Sequence, residues 1–198
     1  MNEIEKELRE SIDVKQSLLA GSISTIEEMA RITVRCLRSG NTVYLIGNGG
    51  SAADAQHIAG EMVGRFERDR KALPVLALTT DTSVITAIAN DYGYDRCFER
   101  QVEAFVKDGD MVIGISTSGN SEGILRAIRR AREKGAVTMG LTGQDGGDLK
   151  DLVDVCLQVP SQNTPRIQEC HAMVGHILCS IVEKELFGDS TPGKDRSS

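Results

Sequence analysis

Two side chains that can transfer protons or bind a metal ion, His57 and Glu61, lie four residues apart in the sequence. On a helix, this spacing places both side chains on one face, one turn apart. They follow a glycine-rich loop at 47–51, in which glycine lets backbone N–H groups approach an anion and Ser51 can add a hydroxyl. The combination predicts chemistry on a phosphorylated small molecule, while a solvated i,i+4 pair after a tight connecting loop stays open as the alternative.

A second polar segment, STSGNS at 116–121, precedes another predicted helix. Its hydroxyls, together with backbone N–H groups and the positive end of a helix, can bind a phosphate monoester without any lysine. The same run could simply be a helix N-cap. Asn90 and Asp91 are suited to the hydroxyls of a sugar, and Gln168 and His176 are either site residues or ordinary polar positions on the last helix. Together, these residues favour a sugar phosphate as the ligand.

An α/β fold must position these residues. Apolar runs alternate with helical patterns after residue 40 and predict a five-stranded parallel sheet, with strands near 42–46, 74–79, 110–115, 136–141 and 154–159. Helical patterns cover 51–66, 82–105 with a break at Gly93, 121–134, a short turn near 147–152, and 165–187. Two more helices are predicted within 2–39. Because ligands bind beyond the carboxyl ends of parallel strands, the two polar loops are expected at one edge of the sheet.

Length, net charge and cysteine content indicate what class of protein this is. A length of 198 residues predicts a single domain, with an N-terminal helical segment (1–40), an α/β core (41–188) and a loose tail (189–198). A net charge of −6 argues against a nucleic-acid partner. Five cysteines without a CxxC pair argue against a disulfide framework. No signal peptide or membrane-spanning run is recognisable, so we expect a cytoplasmic protein without a membrane partner.

The glycine loop also fits the permissive dinucleotide-binding fingerprint, through Gly47, Gly49 and Ala52. That fingerprint requires an acidic residue about 20 positions on, at the end of a second strand. Residues 66–70 lie there instead, and the second strand begins only near Pro74. The sequence also contains no GxxxxGK[ST] loop. Hydride transfer with a dinucleotide and P-loop nucleotide hydrolysis are therefore not supported.

Five segments of the chain resemble, in the same order, the phosphoheptose isomerases of the sugar isomerase (SIS) family: GNGGSAADAQHIAGEM, LTTDTSVITAIANDYGY, ISTSGNSEGIL, LTGQDGG and RIQECHAMVGHIL. The resemblance implies a three-layer α/β/α sandwich of the flavodoxin-like SIS type with additional N-terminal helices. It also implies a homotetramer with active sites at subunit interfaces. The implied reaction is the aldose–ketose isomerisation of sedoheptulose 7-phosphate to D-glycero-D-manno-heptose 7-phosphate through an enediolate, in heptose biosynthesis for bacterial surface glycans such as lipopolysaccharide.

The resemblance also implies roles for individual residues. The implied substrate contacts, to which we add Ser51, Glu61 and Gln168, are Asn48, Gly49, Gly50, Asn90, Asp91, Ser116, Thr117, Ser118 and Ser121. The implied cofactor is one zinc ion per subunit, with the ligands His57, Glu61, Gln168 and His176. For proton transfer between C1 and C2, we choose Glu61 as the base at carbon and His176 as its partner. Some family members have an acidic residue where this chain has Pro165, so we assign no catalytic carboxylate there.

Two features of the sequence bear on the oligomer. On a regular helix, Gln168 and His176 would lie about 12 Å apart along the axis, with azimuths differing by roughly 80°. We therefore predict that the site uses residues from two subunits, or that the helix begins irregularly at Gln168. Apolar residues of the N-terminal helices form part of an intersubunit core or pack on the sheet: Ile4, Leu8, Ile12, Ile26 and Ile32.

Two other functions are compatible with many of the same residues. A non-catalytic SIS module would bind sugar phosphate or the replication initiator, and the replication-initiator-associating protein shares the NGGSA, AND and RIQE elements. That family lacks the glutamate and the late histidine, whereas this chain has Glu61 and His176. An isomerase for a different sugar phosphate is harder to exclude, since loops that bind a phosphate and an enediol do not by themselves determine the chain length of the sugar. We predict the heptose phosphate isomerase.

Overall fold

Strands and helices alternate around one sheet. The structure is a computed structural model that describes residues 2–188, so the predicted loose tail lies outside the described residues. The strands are β1 (Val43–Gly47), β2 (Val75–Ala77), β3 (Met111–Ile115), β4 (Val137–Thr142) and β5 (Val155–Gln158). The helices are α1 (Glu3–Gly21), α2 (Ile23–Arg38), α3 (Gly50–Val63), α4 (Thr82–Tyr92), α5 (Cys97–Phe105), α6 (Glu122–Glu133), α7 (Leu149–Leu152) and α8 (Thr164–Phe187). A 3₁₀ turn, Tyr94–Arg96, connects α4 to α5.

All five strands are parallel and lie in the order β2-β1-β3-β4-β5. Every residue of β1 and β3 is buried, as expected when helices cover both faces of a parallel sheet. Successive side chains face opposite sides, so that Leu45 packs in one core and Ile46 in the other. The predicted fold class, α/β with a five-stranded parallel sheet, is confirmed.

Helical layers cover both faces of the sheet. On one face, α2, α3 and α8 pack together, and Met29 and Val174 contribute to their shared core. On the other face, α5 and α6 pack together, and Phe98 and Ile128 contribute to the second core. Among the described residues, no helix is both long enough and apolar enough to cross a membrane.

The helix boundaries differ from the prediction at one place next to the site. The predicted break at Gly93 is confirmed, because Gly93 has a φ of +92° and separates α4 from the 3₁₀ turn. The helix predicted over 51–66 ends at Val63 instead. The chain leaves the helix there because the Phe66 N–H donates to the Glu183 carboxylate, at 2.9 Å, rather than to a carbonyl of α3.

The N-terminal helices pack unequally against the rest of the chain. Ile26 and Ile32 on α2 are partly buried against the core. Ile4, Leu8 and Ile12 on α1 are 72%, 61% and 53% exposed. Packing within the chain is therefore the correct interpretation for the two residues of α2, while the apolar residues of α1 face away from the core.

Candidate active site

The two predicted polar loops meet at the carboxyl edge of the sheet, because β1 and β3 are neighbours. Asn48, directly after β1, donates from Nδ2 to Ser121 Oγ at 2.9 Å. Its Oδ1 accepts a hydrogen bond from the Tyr94 hydroxyl at 2.8 Å. Gly49 has a φ of +55° and turns the chain into α3, whose Ser51 is buried. The two predicted loops therefore lie side by side and are joined by a hydrogen bond.

The loop at 116–121, called the serine loop below, is braced by the loop that follows β4. The Asp148 N–H donates to Asn120 Oδ1 at 2.9 Å. At Gly119, φ is +68° and a Cβ would lie 2.0 Å from the backbone oxygen of Gly146, so this position requires glycine. The serine loop thus presents hydroxyls and backbone N–H groups at the N-terminus of α6, a geometry suited to an anion.

Three of the four predicted metal ligands converge between α3 and α8. His57 Nε2 lies 2.7 Å from His176 Nε2 and 3.7 Å from Glu61 Oε1. Within residues 2–188, these three form the one group of three His, Cys, Asp or Glu side chains whose ligand atoms all lie within 4.8 Å of one another. Imidazole nitrogens and carboxylate oxygens are common zinc ligands, so this donor set fits a zinc ion.

A glycine allows the two helices to bring the histidines together. Gly175, next to His176, lies against Ile58, next to His57. A Cβ at position 175 would lie 2.7 Å from Ile58 Cδ1, closer than ordinary van der Waals contact. Because glycine has no Cβ, α3 and α8 can approach each other closely beside His57 and His176.

Gln168 lies about two turns of α8 before His176. α8 is continuous from Thr164, so the predicted irregular beginning at Gln168 is wrong. The Gln168 side chain lies at the start of α3, where a Cβ on Gly50 would be 2.2 Å from its Nε2. This position is about 12 Å from His176 along the helix axis. One chain brings three ligands together, and a site that uses two subunits stays a prediction.

Asn90 and Asp91 occupy the last turn of α4. Asn90 Nδ2 donates to Asp91 Oδ1 at 2.8 Å, and both residues are exposed. No residue of α4 is buried, so packing within this chain fixes these two side chains less firmly than the loops. Tyr94, which sequence reasoning missed, joins this segment to Asn48. Its position three residues after Asp91 was the available signal.

His171 is a buried residue that the sequence did not single out. It is fully buried, and its Nε2 lies 3.1 Å from the Thr142 carbonyl oxygen, to which the neutral ring donates. Burial lowers the pKa of His171 to about 4, although the hydrogen bond to Thr142 acts in the opposite direction. His171 therefore ties α8 to the end of β4 as a neutral side chain and lies apart from the cluster.

The chain is similar to known proteins over nearly its whole length. The SIS domain family matches residues 8–143. The phosphoheptose isomerase of Clostridium acetobutylicum is 54% identical over 95% of this chain and 97% of the relative. That of Roseiflexus sp. (strain RS-1) is 56% identical over 91% of this chain and 92% of the relative.

Two solved structures have the same fold. The phosphoheptose isomerase of Neisseria gonorrhoeae superposes with a TM-score of 0.87 at 41% identity, over 91% of this chain and 97% of the other. A phosphoheptose isomerase from Francisella tularensis gives a TM-score of 0.89 at 36% identity, over 93% and 100%. The chain therefore belongs to the SIS domain family and, within it, to the phosphoheptose isomerases, which makes it an isomerase.

Proposed function

We propose that this isomerase converts sedoheptulose 7-phosphate to D-glycero-D-manno-heptose 7-phosphate. The observation that carries the proposal is the course of α3, which begins at the Asn48 loop and, two turns later, carries side chains that meet His176. A loop suited to a phosphorylated sugar and a cluster that can move a proton thus share one helix. The names of relatives more than 50% identical support the choice of a heptose phosphate.

The two loops support a division of tasks in substrate binding. The serine loop binds the phosphate through its hydroxyls and the N-terminal N–H groups of α6. The segment Asn48–Ser51, with Asn90 and Asp91, binds the hydroxyls of the sugar. Because Asn48 also bonds Ser121, binding at one loop orients the other. Gln168 lies against Gly50 and can contact the same part of the substrate.

The reaction moves a proton between C1 and C2 through an enediolate, which requires a base near carbon and a second group near the oxygens. Glu61 removes the proton from carbon, and His176 exchanges a proton with the substrate oxygens. His57 holds the ring of His176 in place through the 2.7 Å approach of their Nε2 atoms. The alternative of a non-catalytic module required neither Glu61 nor His176, and both belong to this cluster.

We infer one zinc ion per subunit, held by His57, Glu61, His176 and a Gln168 supplied by another protomer. When bound, zinc would polarise the substrate oxygens as a Lewis acid. A carboxylate on a metal is a weaker base, and an imidazole nitrogen on a metal carries no proton, so Glu61 and His176 would transfer protons only while these groups are off the metal. A substrate complex in which Glu61 stays bound to zinc and distant from C1 and C2 would contradict this role.

The proposal extends to the assembly and to the biological setting. Exposed apolar side chains on α1 and the distant position of Gln168 support a homotetramer with sites between subunits. The proposed location is the cytoplasm, and the proposed product is a precursor of heptose in bacterial surface glycans. The net charge of −6 and the absence of a membrane-spanning helix within 2–188 are compatible with this setting.

The test is incubation of the purified protein with sedoheptulose 7-phosphate in deuterated water, followed by NMR of the product and of deuterium at C2. We expect the aldose product with deuterium at C2, and we expect a chelator to slow its formation. Glu61→Gln and His176→Asn should each lower the rate by about 10²- to 10⁴-fold, because each removes a proton-transfer group.

The matched control is Glu185→Gln, which changes an exposed glutamate on α8 and should keep the wild-type rate. Parallel assays with shorter ketose phosphates test the alternative that another sugar is the substrate. The proposal fails if clean, folded protein does not turn over sedoheptulose 7-phosphate, or if a shorter sugar reacts faster.

A further inference from the structure

A buried carboxylate organises the segment between α3 and β2. Glu183 on α8 is 1% exposed and accepts hydrogen bonds from the N–H groups of Phe66, Glu67 and Arg68, at 2.9, 3.0 and 3.2 Å. These residues form neither helix nor strand. One side chain thus satisfies three consecutive backbone donors and fixes the path of an otherwise irregular segment.

Arg70 connects this anchor to the end of α3. Its Nε lies 2.9 Å from Glu183 Oε1, and both side chains are almost fully buried. Its other nitrogens donate to the carbonyls of Met62, at 2.7 Å, and of Glu61, at 2.8 Å. Burying such a pair is costly unless every charge finds a partner, and here the last carbonyls of α3 supply the remaining partners.

The anchored segment places an aromatic ring on the candidate site. The Phe66 ring stacks on the imidazole of His176, with centroids 5.6 Å apart and planes inclined by 25°. The ring of His57 meets the same imidazole edge-on, at 4.9 Å and 74°. The plane of the His176 ring is therefore defined by contacts on a face and on an edge.

We propose that Phe66 is a positioning residue that holds the imidazole of His176 with its Nε2 directed at His57 and Glu61. Its backbone N–H is held in turn by Glu183, which pairs with Arg70, and Phe66 touches no reacting atom. The inference deepens the proposed function, since it rests on the role of His176 there. Without the aromatic ring, the imidazole can rotate about its χ angles and the Nε2–Nε2 approach is lost part of the time.

Histidine NMR provides a readout that is independent of turnover. The chain has three histidines, so the full-length protein labelled with ¹⁵N-histidine gives three sets of ring signals. In Phe66→Leu, which keeps apolar bulk, the ring nitrogen signals of His57 and His176 should shift while those of His171 stay. Phe66→Tyr keeps the ring and should restore the wild-type signals.

Kinetics of the same variants complete the test. Phe66→Leu should lower kcat by about 10- to 100-fold, the usual effect of removing a residue that orients a site side chain, with KM unchanged within about twofold. Phe66→Tyr should restore kcat. Phe105→Leu, a matched change at an exposed phenylalanine of α5, should alter neither kcat nor the NMR signals.

Wild-type His57 and His176 signals in folded Phe66→Leu would overturn the inference. So would an equal shift of the His171 signals, because that result means a general loosening of α8. If the wild-type protein does not convert sedoheptulose 7-phosphate, the proposed function fails, while the NMR comparison still decides the role of Phe66.

Discussion

The three histidines of the chain lie in three different environments. His57 is about half exposed, and His176 lies under the Phe66 ring, yet their Nε2 atoms approach to 2.7 Å. Together with the Glu61 carboxylate, the two Nε2 atoms face one point between α3 and α8. His171, which precedes His176 on α8, is fully buried, and within residues 2–188 its side chain hydrogen-bonds the Thr142 carbonyl alone. All three residues are histidines, so the sequence alone does not distinguish the two in the cluster from the one in the core. Their burial and their hydrogen-bond partners do.

Burial of His171 makes the stability of the fold depend on pH. Its pKa is lowered from 6.5 to about 4 in the folded protein, so the unfolded chain binds this proton more tightly. The free energy of unfolding should therefore decrease as the pH falls from about 6.5 to about 4, by up to about 3 kcal/mol from this group. Urea unfolding at a fixed protein concentration, repeated across this range, measures the effect.

The control is His171→Gln, which keeps an amide donor for the Thr142 carbonyl and does not titrate. Its unfolding free energy should fall less steeply over the same pH range, and the difference between the two curves isolates His171 from the carboxylates. Parallel curves for the two proteins would show that His171 does not contribute.

At the scale of elements, the pairing of α3 with α8 determines the geometry of the site. The two helices contact each other along their length, from Gln168 at the start of α3 to Glu183 beyond its end. Gly175 sits in the middle of this contact, against Ile58. Glycine inside a helix costs about 1 kcal/mol relative to alanine, so its position here indicates a packing requirement.

Gly175→Ala tests this requirement. The gain in helix propensity of about 1 kcal/mol is opposed by overpacking against Ile58, which costs about 1–3 kcal/mol. We expect a net loss of stability together with a loss of activity, since α8 is pushed away from α3 and His176 from His57. Denaturant unfolding and turnover assays measure the two effects.

Two further variants sharpen the comparison. Gly60→Ala changes a glycine of α3 that has nothing within 4 Å of a Cβ, so it should stabilise the protein by about 1 kcal/mol. Ile58→Ala removes the atoms that a Cβ at position 175 would meet, and the double variant should lose less than the sum of the single losses. Strict additivity, or a stabilised Gly175→Ala with full activity, is the result that would exclude this account.

The elements were predictable where local pattern decides them. The apolar runs of β1 and β3 and the glycine at position 93 gave strands and a break that the structure confirms. The end of α3 was not predictable, because Glu183, which takes the Phe66 N–H, lies 117 residues away in the sequence. The place of Gln168 was missed for a related reason, since it depends on how α8 lies against α3.

At the scale of the whole molecule, the described chain leaves one apolar surface without cover. Ile4, Leu8, Ile12 and Leu19 on α1 are each more than half exposed. Large exposed apolar side chains that recur on one helix commonly mark a protein–protein contact. Their spacing was visible in the sequence, but their exposure was not, because the same pattern also suits packing on the sheet.

We expect the double change Leu8→Glu and Ile12→Glu to convert the proposed homotetramer into smaller species, because it places charges in an apolar contact. Sedimentation at micromolar concentration measures the mass, and turnover should fall with it if the sites lie between subunits. Gln16→Glu, on an exposed polar position of α1, adds one negative charge outside the apolar residues and should leave the mass unchanged. A double variant with the mass of the wild type would refute this role of α1.

The long sequence separation of His57 and His176 determines when the cluster can form during synthesis of the polypeptide. His57 and His176 are 119 residues apart, and all five strands end by Gln158. A chain synthesised only as far as residue 160 contains every strand of the sheet and the half of the cluster on α3, but not His176. Long-range contacts of this kind form late in folding. An unfinished polypeptide of this length therefore lacks the complete cluster, and the proposed zinc ion could meet all three side chains only after α8 has been synthesised.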